Sequence, residues 1–268
     1  MSIVFSIDIS EDYAVYQEGS SEGTQVKYRK DGCWYKIDRH GEEGLVEYLV
    51  SNVLKFSTLN ADEYVLYDTG TINGKSGCVS KDFLKCVEDS FVTFQRVYKN
   101  VTGCDLTNTV NNLDTLEYRF EFVLNFFKEN MGYDATEYLQ KILTVDFLSL
   151  NTDRHFNNLG FIVHKDGTVT DAPIFDNGLG LLNGNVSINK YLSIAENTKR
   201  VIARPFSGSH RKMLDYVGVG FRLDVDAAKK WLQEQPQTFY RDVLLYQLDY
   251  TRDILQNEMN LPNSFLLS

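Results

Sequence analysis

Four prolines in 268 residues, and no low-complexity stretch, leave little room for a disordered linker. Cysteine is as scarce: Cys33, Cys78, Cys86 and Cys104 occur, with no Cys-x-x-Cys pair among them. That spacing argues against a zinc site and reads as free thiols in a reducing compartment. No apolar run approaches the ~18 residues of a membrane-spanning helix. Residues 1–10 have neither the basic region nor the apolar core of a signal peptide. The expectations are a cytoplasmic location and no membrane. Positive charge is also short, with 27 Lys and Arg against 37 Asp and Glu and a net charge of -10. Affinity for nucleic acid rests on neutralising phosphates, so no direct nucleic-acid binding is expected of so acidic a chain.

What is present is ordinary globular composition with a heavy aromatic share: 43% hydrophobic, 24% charged and 13% Phe, Trp and Tyr. The length suffices for one large domain or two small lobes. The first third reads as β-rich. Residues 3–9, 13–16, 26–28 and 33–37 alternate or are rich in aromatic and β-branched residues, with Asp31-Gly32 as a turn. Residues 44–56 then space their apolar positions for a helix, and residues 63–67 and 77–80 read as strands around Asn73-Gly74. The remainder is mostly helical, with expected helices at 83–97, 114–130, 134–150, 227–233 and 239–259. Two short strands, 160–164 and 168–175, interrupt it around Asp166-Gly167. The coarse expectation is an α+β chain, with a small β-rich lobe over residues 1–83 and a larger helical lobe over 84–268.

The chemistry concentrates in Asn151-Thr152-Asp153-Arg154-His155-Phe156-Asn157-Asn158. Asp153 and Asn158 stand five residues apart. A protein-kinase catalytic loop has this spacing: its Asp faces the attacking hydroxyl and its Asn faces magnesium. A second carboxylate must hold the metal that bridges the phosphates. Asp176 ends the apolar stretch Ala172-Pro173-Ile174-Phe175 and precedes Asn177-Gly178, the place of an Asp-Phe-Gly motif with Asn for Phe. Taken singly, an Asp or Asn in a loop more often caps a helix or makes a turn. Their occurrence in this order, with His155 between, is what carries the kinase reading.

Residues 147–161, Phe-Leu-Ser-Leu-Asn-Thr-Asp-Arg-His-Phe-Asn-Asn-Leu-Gly-Phe, resemble the catalytic loop of HipA-like serine/threonine kinases. These are bacterial toxin kinases related to the phosphatidylinositol-kinase-like group, with a loop that also reads Asp-Arg-His-x-x-Asn. The resemblance extends in order over most of residues 15–180. It implies a bilobal protein-kinase-like fold, ATP and Mg2+, and Asp153 as the base or hydroxyl-orienting group. It implies Asn158 and Asp176 as metal ligands, and His155 as a buttress of the loop that could also reach phosphate. A protein acceptor and an antitoxin partner follow from it as well.

The N-terminal third fits the same pattern. Kinases need a Lys on a strand for the α- and β-phosphates, oriented by a Glu on the next helix. Lys36 lies in the strand 33–37, and Glu47 lies on the helix after it. The segment 19–27, Gly-Ser-Ser-Glu-Gly-Thr-Gln-Val-Lys, lies ahead of Lys36. Its backbone N–H groups, with Gly19, Ser20, Ser21, Gly23, Gln25 and Lys27, could cover the phosphates. In the resembled family this loop carries a Ser and then Gly-x-Gln, matched here by Ser20, Gly23 and Gln25. The family's inhibitory autophosphorylation therefore maps to Ser20. Typical members carry a further subdomain ahead of this loop, so the expectation is a compact form. His40, His164 and His210 suggest no metal trio, and Arg204, Arg211 and Lys212 read as a solvated face or a contact for an acidic substrate. The loop Arg204-Pro205-Phe206-Ser207-Gly208 has no role legible in sequence.

The preferred expectation is an ATP-dependent protein Ser/Thr kinase. Two other readings stay open. A lipid or small-molecule kinase shares the Asp-Arg-His-x-x-Asn loop, although no basic, aromatic-lined run suggests a membrane surface. A nucleotide-binding pseudokinase acting as an interaction module is the other.

Overall fold

A computed structural model of the chain describes residues 5–15, 26–184 and 188–256. Five strands form the first sheet: β1 (Phe5–Ile7), β2 (Lys27–Lys30), β3 (Cys33–Ile37), β4 (Tyr67–Ile72) and β5 (Lys75–Lys81). Their order is β1-β4-β5-β3-β2, with β1 parallel to β4 and every other pair antiparallel. Two-residue turns fix the register of both hairpins. Asp31-Gly32 has φ of 50 and 72°, and Asn73-Gly74 has φ of 51 and 73°. Positive φ at both central residues is the hairpin turn that suits the strand twist, and Asn-Gly and Asp-Gly are the sequences that reach it most cheaply. In this register Lys27 stands directly opposite Lys36, so the two side chains share one face of the sheet.

Helix α1 (Glu43–Val53) packs on β4 and β5 and buries Val46, Leu49, Val50 and Val53. Its first turn runs against the sheet backbone: a Cβ on Gly44 would lie 2.7 Å from the Gly77 carbonyl carbon. The free N–H of Gly44 is capped by the Asp38 carboxylate at 2.7 Å. Burial, opposed by that hydrogen bond and reinforced by Glu43 and Glu42, pushes the Asp38 carboxyl up to about 6.

Beyond β5 lie β6 (Ser90–Thr93), α2 (Phe94–Thr102), α3 (Leu106–Asn111), α4 (Leu116–Met131) and α5 (Thr136–Ser149). Strands β7 (Gly160–Val163) and β8 (Val169–Asp171) join β6 in an antiparallel sheet of order β6-β7-β8. Helices α6 (Ile194–Thr198), α7 (His210–Val217), α8 (Val225–Gln233) and α9 (Phe239–Gln256) complete the described chain. One apolar core runs from α1 through α4, α5, α7 and α8 to α9, which ties the first sheet's helix to the helical part. Among the described residues no helix is long and apolar enough to cross a membrane.

Several elements differ from the sequence expectation. Residues 11–13 form a 3-10 turn rather than the start of a strand, because the Ser10 side chain accepts from Asp12 N and closes the chain locally. Among the described residues of that strand, Ala14 keeps a bridge to Tyr28, and Tyr16 lies outside them. The strand expected at 63–67 begins at Tyr67. The preceding residues pair with the segment that leads to Asp176: Val65 N donates to Ile174 O and Ile174 N to Glu63 O. The helix expected at 83–97 begins only at Phe94, where the Thr93 hydroxyl caps Arg96 N. Upstream, the aromatic spacing serves a ring cluster of Phe83, Phe91 and Phe175 instead of a helix face. The strand expected at 168–175 ends at Asp171.

Candidate active site

Three segments far apart in sequence meet at one ammonium group. Lys36 Nζ, carried by β3, donates to Glu47 Oε1 of α1 at 3.1 Å and to Asp176 Oδ1 at 2.9 Å. The Tyr67 hydroxyl of β4 lies 3.4 Å away and completes the surround. Glu47 is 1% exposed, and its other oxygen, Oε2, accepts from the Asn177 backbone N–H at 3.0 Å. The glutamate therefore ties the lysine and the residue after Asp176 to one helix.

The charges set one another. Burial would lower the Lys36 ammonium, yet the Asp176, Tyr67 and Glu47 groups hold it well above its ordinary value. Burial raises the Asp176 carboxyl, but Lys36, with Lys27 and Arg154 nearby, outweighs this and keeps it far below the carboxylate range. Glu47 lies above its ordinary value because burial outweighs the pull of Lys36. Lys27 is lowered chiefly by burial, with Asp176 opposing. The site thus holds a charged lysine against an ionised Asp176 whose side chain stays 32% exposed.

The second half of the site is the turn after α5. Leu150 closes that helix with φ of 56°, and the chain reverses at Asn151. Asn151 Oδ1 accepts from Asp153 N at 3.0 Å, while its amide donates to Asp146 Oδ1 at 3.1 Å and Asp176 O at 3.4 Å. Arg154 turns inward with no exposed side-chain surface and pairs with the equally buried Asp146. Its Nη1 donates to Phe175 O at 2.7 Å and its Nη2 to Asn177 Oδ1 at 2.8 Å. One guanidinium thus straps both neighbours of Asp176, which itself stands at φ of 64°, a costly region for a residue with a side chain. Asn158 Nδ2 reaches Asp176 Oδ2 at 2.8 Å, and Asn158 Oδ1 accepts from His155 N at 3.3 Å.

The structure therefore brings together Lys36, Glu47, Asn158 and Asp176, with Lys27 on the same sheet face. Asp153 stands at the mouth, its side chain 41% exposed and 3.9 Å from the Arg204 guanidinium. His155 meets this group through its backbone N–H. Gly19, Ser20, Ser21, Gly23 and Gln25 fall in 16–25, outside the described residues. Among the described residues no group of three or more His, Cys, Asp and Glu is placed to hold a metal ion. Asn158 turns its amide nitrogen to Asp176 and its oxygen to His155 N, so of these two side chains it is Asp176 that presents an oxygen pair at this point.

Sequence reading missed Asp146, Asn151, Arg154 and His210 as parts of this site. A signal for the first was there: Asp146 is the one charged residue in the apolar run 142–150, which calls for a buried partner. His210 is 7% exposed, and its Nε2 lies 2.7 Å from the carbonyl oxygen of Asn151. A carbonyl only accepts, so the ring carries its proton on Nε2. Burial lowers the His210 pKa against the pull of Asp146, which keeps the ring neutral. A group depressed in this way contributes stability that is full above the ordinary His value and lost as pH falls from about 6.5 towards the folded value. The margin in melting temperature of wild type over His210→Gln is expected to shrink between pH 7.5 and 5. A margin that grows on acidification would mean a charged ring.

No protein-family model matches the sequence, and no curated protein sequence matches it. Solved structures do match. The Helicobacter pylori proinflammatory kinase CtkA aligns over 93% of this chain and 95% of its own, with a TM-score of 0.60 and 16% identity. HipA of Shewanella oneidensis MR-1, from a toxin–antitoxin complex with HipB and operator DNA, aligns over 90% of this chain and 65% of its own, with a TM-score of 0.37 and 11% identity. The CtkA alignment shows the fold: α+β and kinase-like, as the sequence predicts.

Proposed function

We propose that this chain is an ATP-dependent protein serine/threonine kinase of the HipA-like type. The observation that carries the reading is the convergence of Lys36, Glu47 and Asp176 at hydrogen-bond distance from β3, α1 and the segment after β8. That trio is what a nucleotide phosphate site needs: a lysine for the α- and β-phosphates, a glutamate that aims it and a carboxylate for the metal. In the structure Asp176 occupies the lysine directly, and a triphosphate with its magnesium would take over both charges. Asp176, and Asn158 through the oxygen that His155 N holds in this structure, would hold Mg2+, which supplies charge neutralisation on the phosphate oxygens when bound. Lys36 would bind phosphate, with Lys27 on the same face. Asp153 would orient the acceptor hydroxyl and accept its proton. His155 would hold Asn158 in place from the loop backbone. The segment 19–27 would cover the nucleotide, and Ser20 would be its autophosphorylation site. A protein acceptor and an antitoxin-type partner belong to the same reading, which rests for them on the resemblance of residues 147–161.

The test uses γ-labelled ATP with magnesium and two acceptor pools, a bacterial lysate and phosphoinositide vesicles. Label is expected on protein and not on lipid. Lys36→Met is expected to reduce transfer by at least ~100-fold, since it removes one preorganised charge from the phosphates. Label on lipid alone would replace the acceptor class, and no label above the Lys36→Met background would sink the kinase reading.

A further inference from the structure

The loop 203–208 is built against the catalytic turn. Ala203 N donates to Gly208 O at 3.0 Å and closes it. Phe206, with no exposed surface, stacks on Phe120 of α4 at 4.0 Å between centroids and meets Phe156 of the catalytic loop edge-on at 5.5 Å. Arg119 Nη1 holds the Phe206 carbonyl at 3.0 Å. Directly after the loop, His210 holds the Asn151 carbonyl. A held backbone therefore carries a side chain that reaches the catalytic turn. That side chain is Arg204, 58% exposed, with Nη1 3.9 Å from Asp153 Oδ1.

We propose that Arg204 is a catalytic residue, the cation that binds the transferring phosphoryl group beside Asp153; this rests on the kinase reading above. The remaining charges at the site make the case. Lys36 is enclosed by Glu47, Asp176 and Tyr67, and Arg154 is spent on Asp146, Phe175 and Asn177. Lys27 sits opposite Lys36 in the sheet. Each of these is held on the Glu47–Asp176 side of the site, whereas Arg204 is the guanidinium that the structure sets beside the Asp153 carboxylate. In transfer, the acceptor oxygen bonds to the γ-phosphorus while the bond from that phosphorus to the bridging oxygen breaks. The electron pair of that bond leaves with ADP, and the acceptor proton passes to the Asp153 carboxylate. Negative charge is then shared among the three γ-oxygens and the acceptor oxygen, next to Asp153.

Arg204 suits that charge. Its contact with Asp153 is longer than a hydrogen bond and exposed, so it is exchanged for phosphate at small cost. Its planar fork matches two phosphoryl oxygens, which an ammonium does not. A guanidinium that instead recognised acidic acceptor residues would act before the chemical step and would not respond to the transferring group.

The test compares wild type with Arg204→Gln and Arg204→Lys. Calorimetry measures the affinity for Mg·ADP with and without aluminium fluoride, a probe of the transferring group that needs no acceptor. Transfer from γ-labelled ATP is measured in parallel. Mg·ADP affinity is expected to stay within about twofold, while Arg204→Gln loses most of the extra affinity gained with fluoride. Transfer is expected to fall roughly 100- to 1,000-fold in kcat, the loss seen when one preorganised donor is removed. Arg204→Lys is expected to restore part of both. Unchanged fluoride affinity, or a rise only in KM for an acidic acceptor with kcat intact, would overturn the role of Arg204 and leave the kinase reading standing. A wild-type protein with neither transfer nor a fluoride effect would overturn the kinase reading itself.

Discussion

Asp176→Ala and Asp153→Ala are both expected to abolish phosphoryl transfer, but only Asp176→Ala should also lose magnesium-dependent nucleotide binding. Asp176 is bonded to Lys36 at 2.9 Å and to the Asn158 amide nitrogen at 2.8 Å, and it is ionised. On the proposed reading its removal takes away a metal ligand, and it leaves Lys36 with Glu47 and the Tyr67 hydroxyl. A metal's charge stabilisation is worth several kcal/mol, so the fall in kcat/KM is roughly 1,000-fold or more. Asp153 stands apart, 41% exposed with a loose contact to Arg204. Its contact is with Arg204 and not with the group formed by Lys36, Asp176 and Asn158, so nucleotide affinity is expected to stay within about twofold of wild type. Loss of the proton-accepting role proposed for it costs about 100- to 10,000-fold in rate. Calorimetry of ATP binding with and without magnesium separates the two. Equal loss of affinity in both variants would show that the two carboxylates have been assigned the wrong tasks.

Lys36, Asp153 and Asp176 stand out in the sequence because the proposed chemistry dictates residue type and order, and the structure brings Lys36 and Asp176 to 2.9 Å of one another. The hairpins were visible for a similar reason: Asp31-Gly32 and Asn73-Gly74 are local turn codes whose backbone geometry few other pairs reach. Helices α4 and α5 are long enough to show their period, whereas α3 and α6 have six and five residues and cannot. The misread helix at 83–97 failed because apolar spacing reports burial and not backbone shape. Phe83 and Phe91 are spaced for a helix but meet Phe175 from a bend after β5 and from β6, which takes its hydrogen bonds from β7. The missed part of the site failed for another reason. The pairing of Arg154 with Asp146, and the approach of His210 and Arg204, depend on how α5, α7 and the 203–208 loop pack, which no local pattern encodes.

Arg154→Met is expected to be the most destabilising single change at the site. Arg154 and Asp146 are fully enclosed, and removing one partner leaves the other charge buried and unpaired. Such a loss costs about 3–5 kcal/mol, on the order of 10 °C in melting temperature for a chain of this size. Replacing both partners, as Asp146→Leu with Arg154→Met, removes the uncompensated charge and is expected to recover most of that stability. Transfer is not expected to recover with it. Arg154 also holds Phe175 O and Asn177 Oδ1, the two anchors that keep Asp176 at a positive φ and its carboxylate on Lys36. Without the strap the backbone of Asp176 can relax to an unstrained region and carry the carboxylate away from Asn158. Thermal unfolding and transfer from γ-labelled ATP, measured on the single and double variants, separate the two functions of the guanidinium. A double variant that regains stability and full transfer together would show that Asp176 needs no strap. A single variant that melts like wild type would show that the buried pair contributes nothing to the fold.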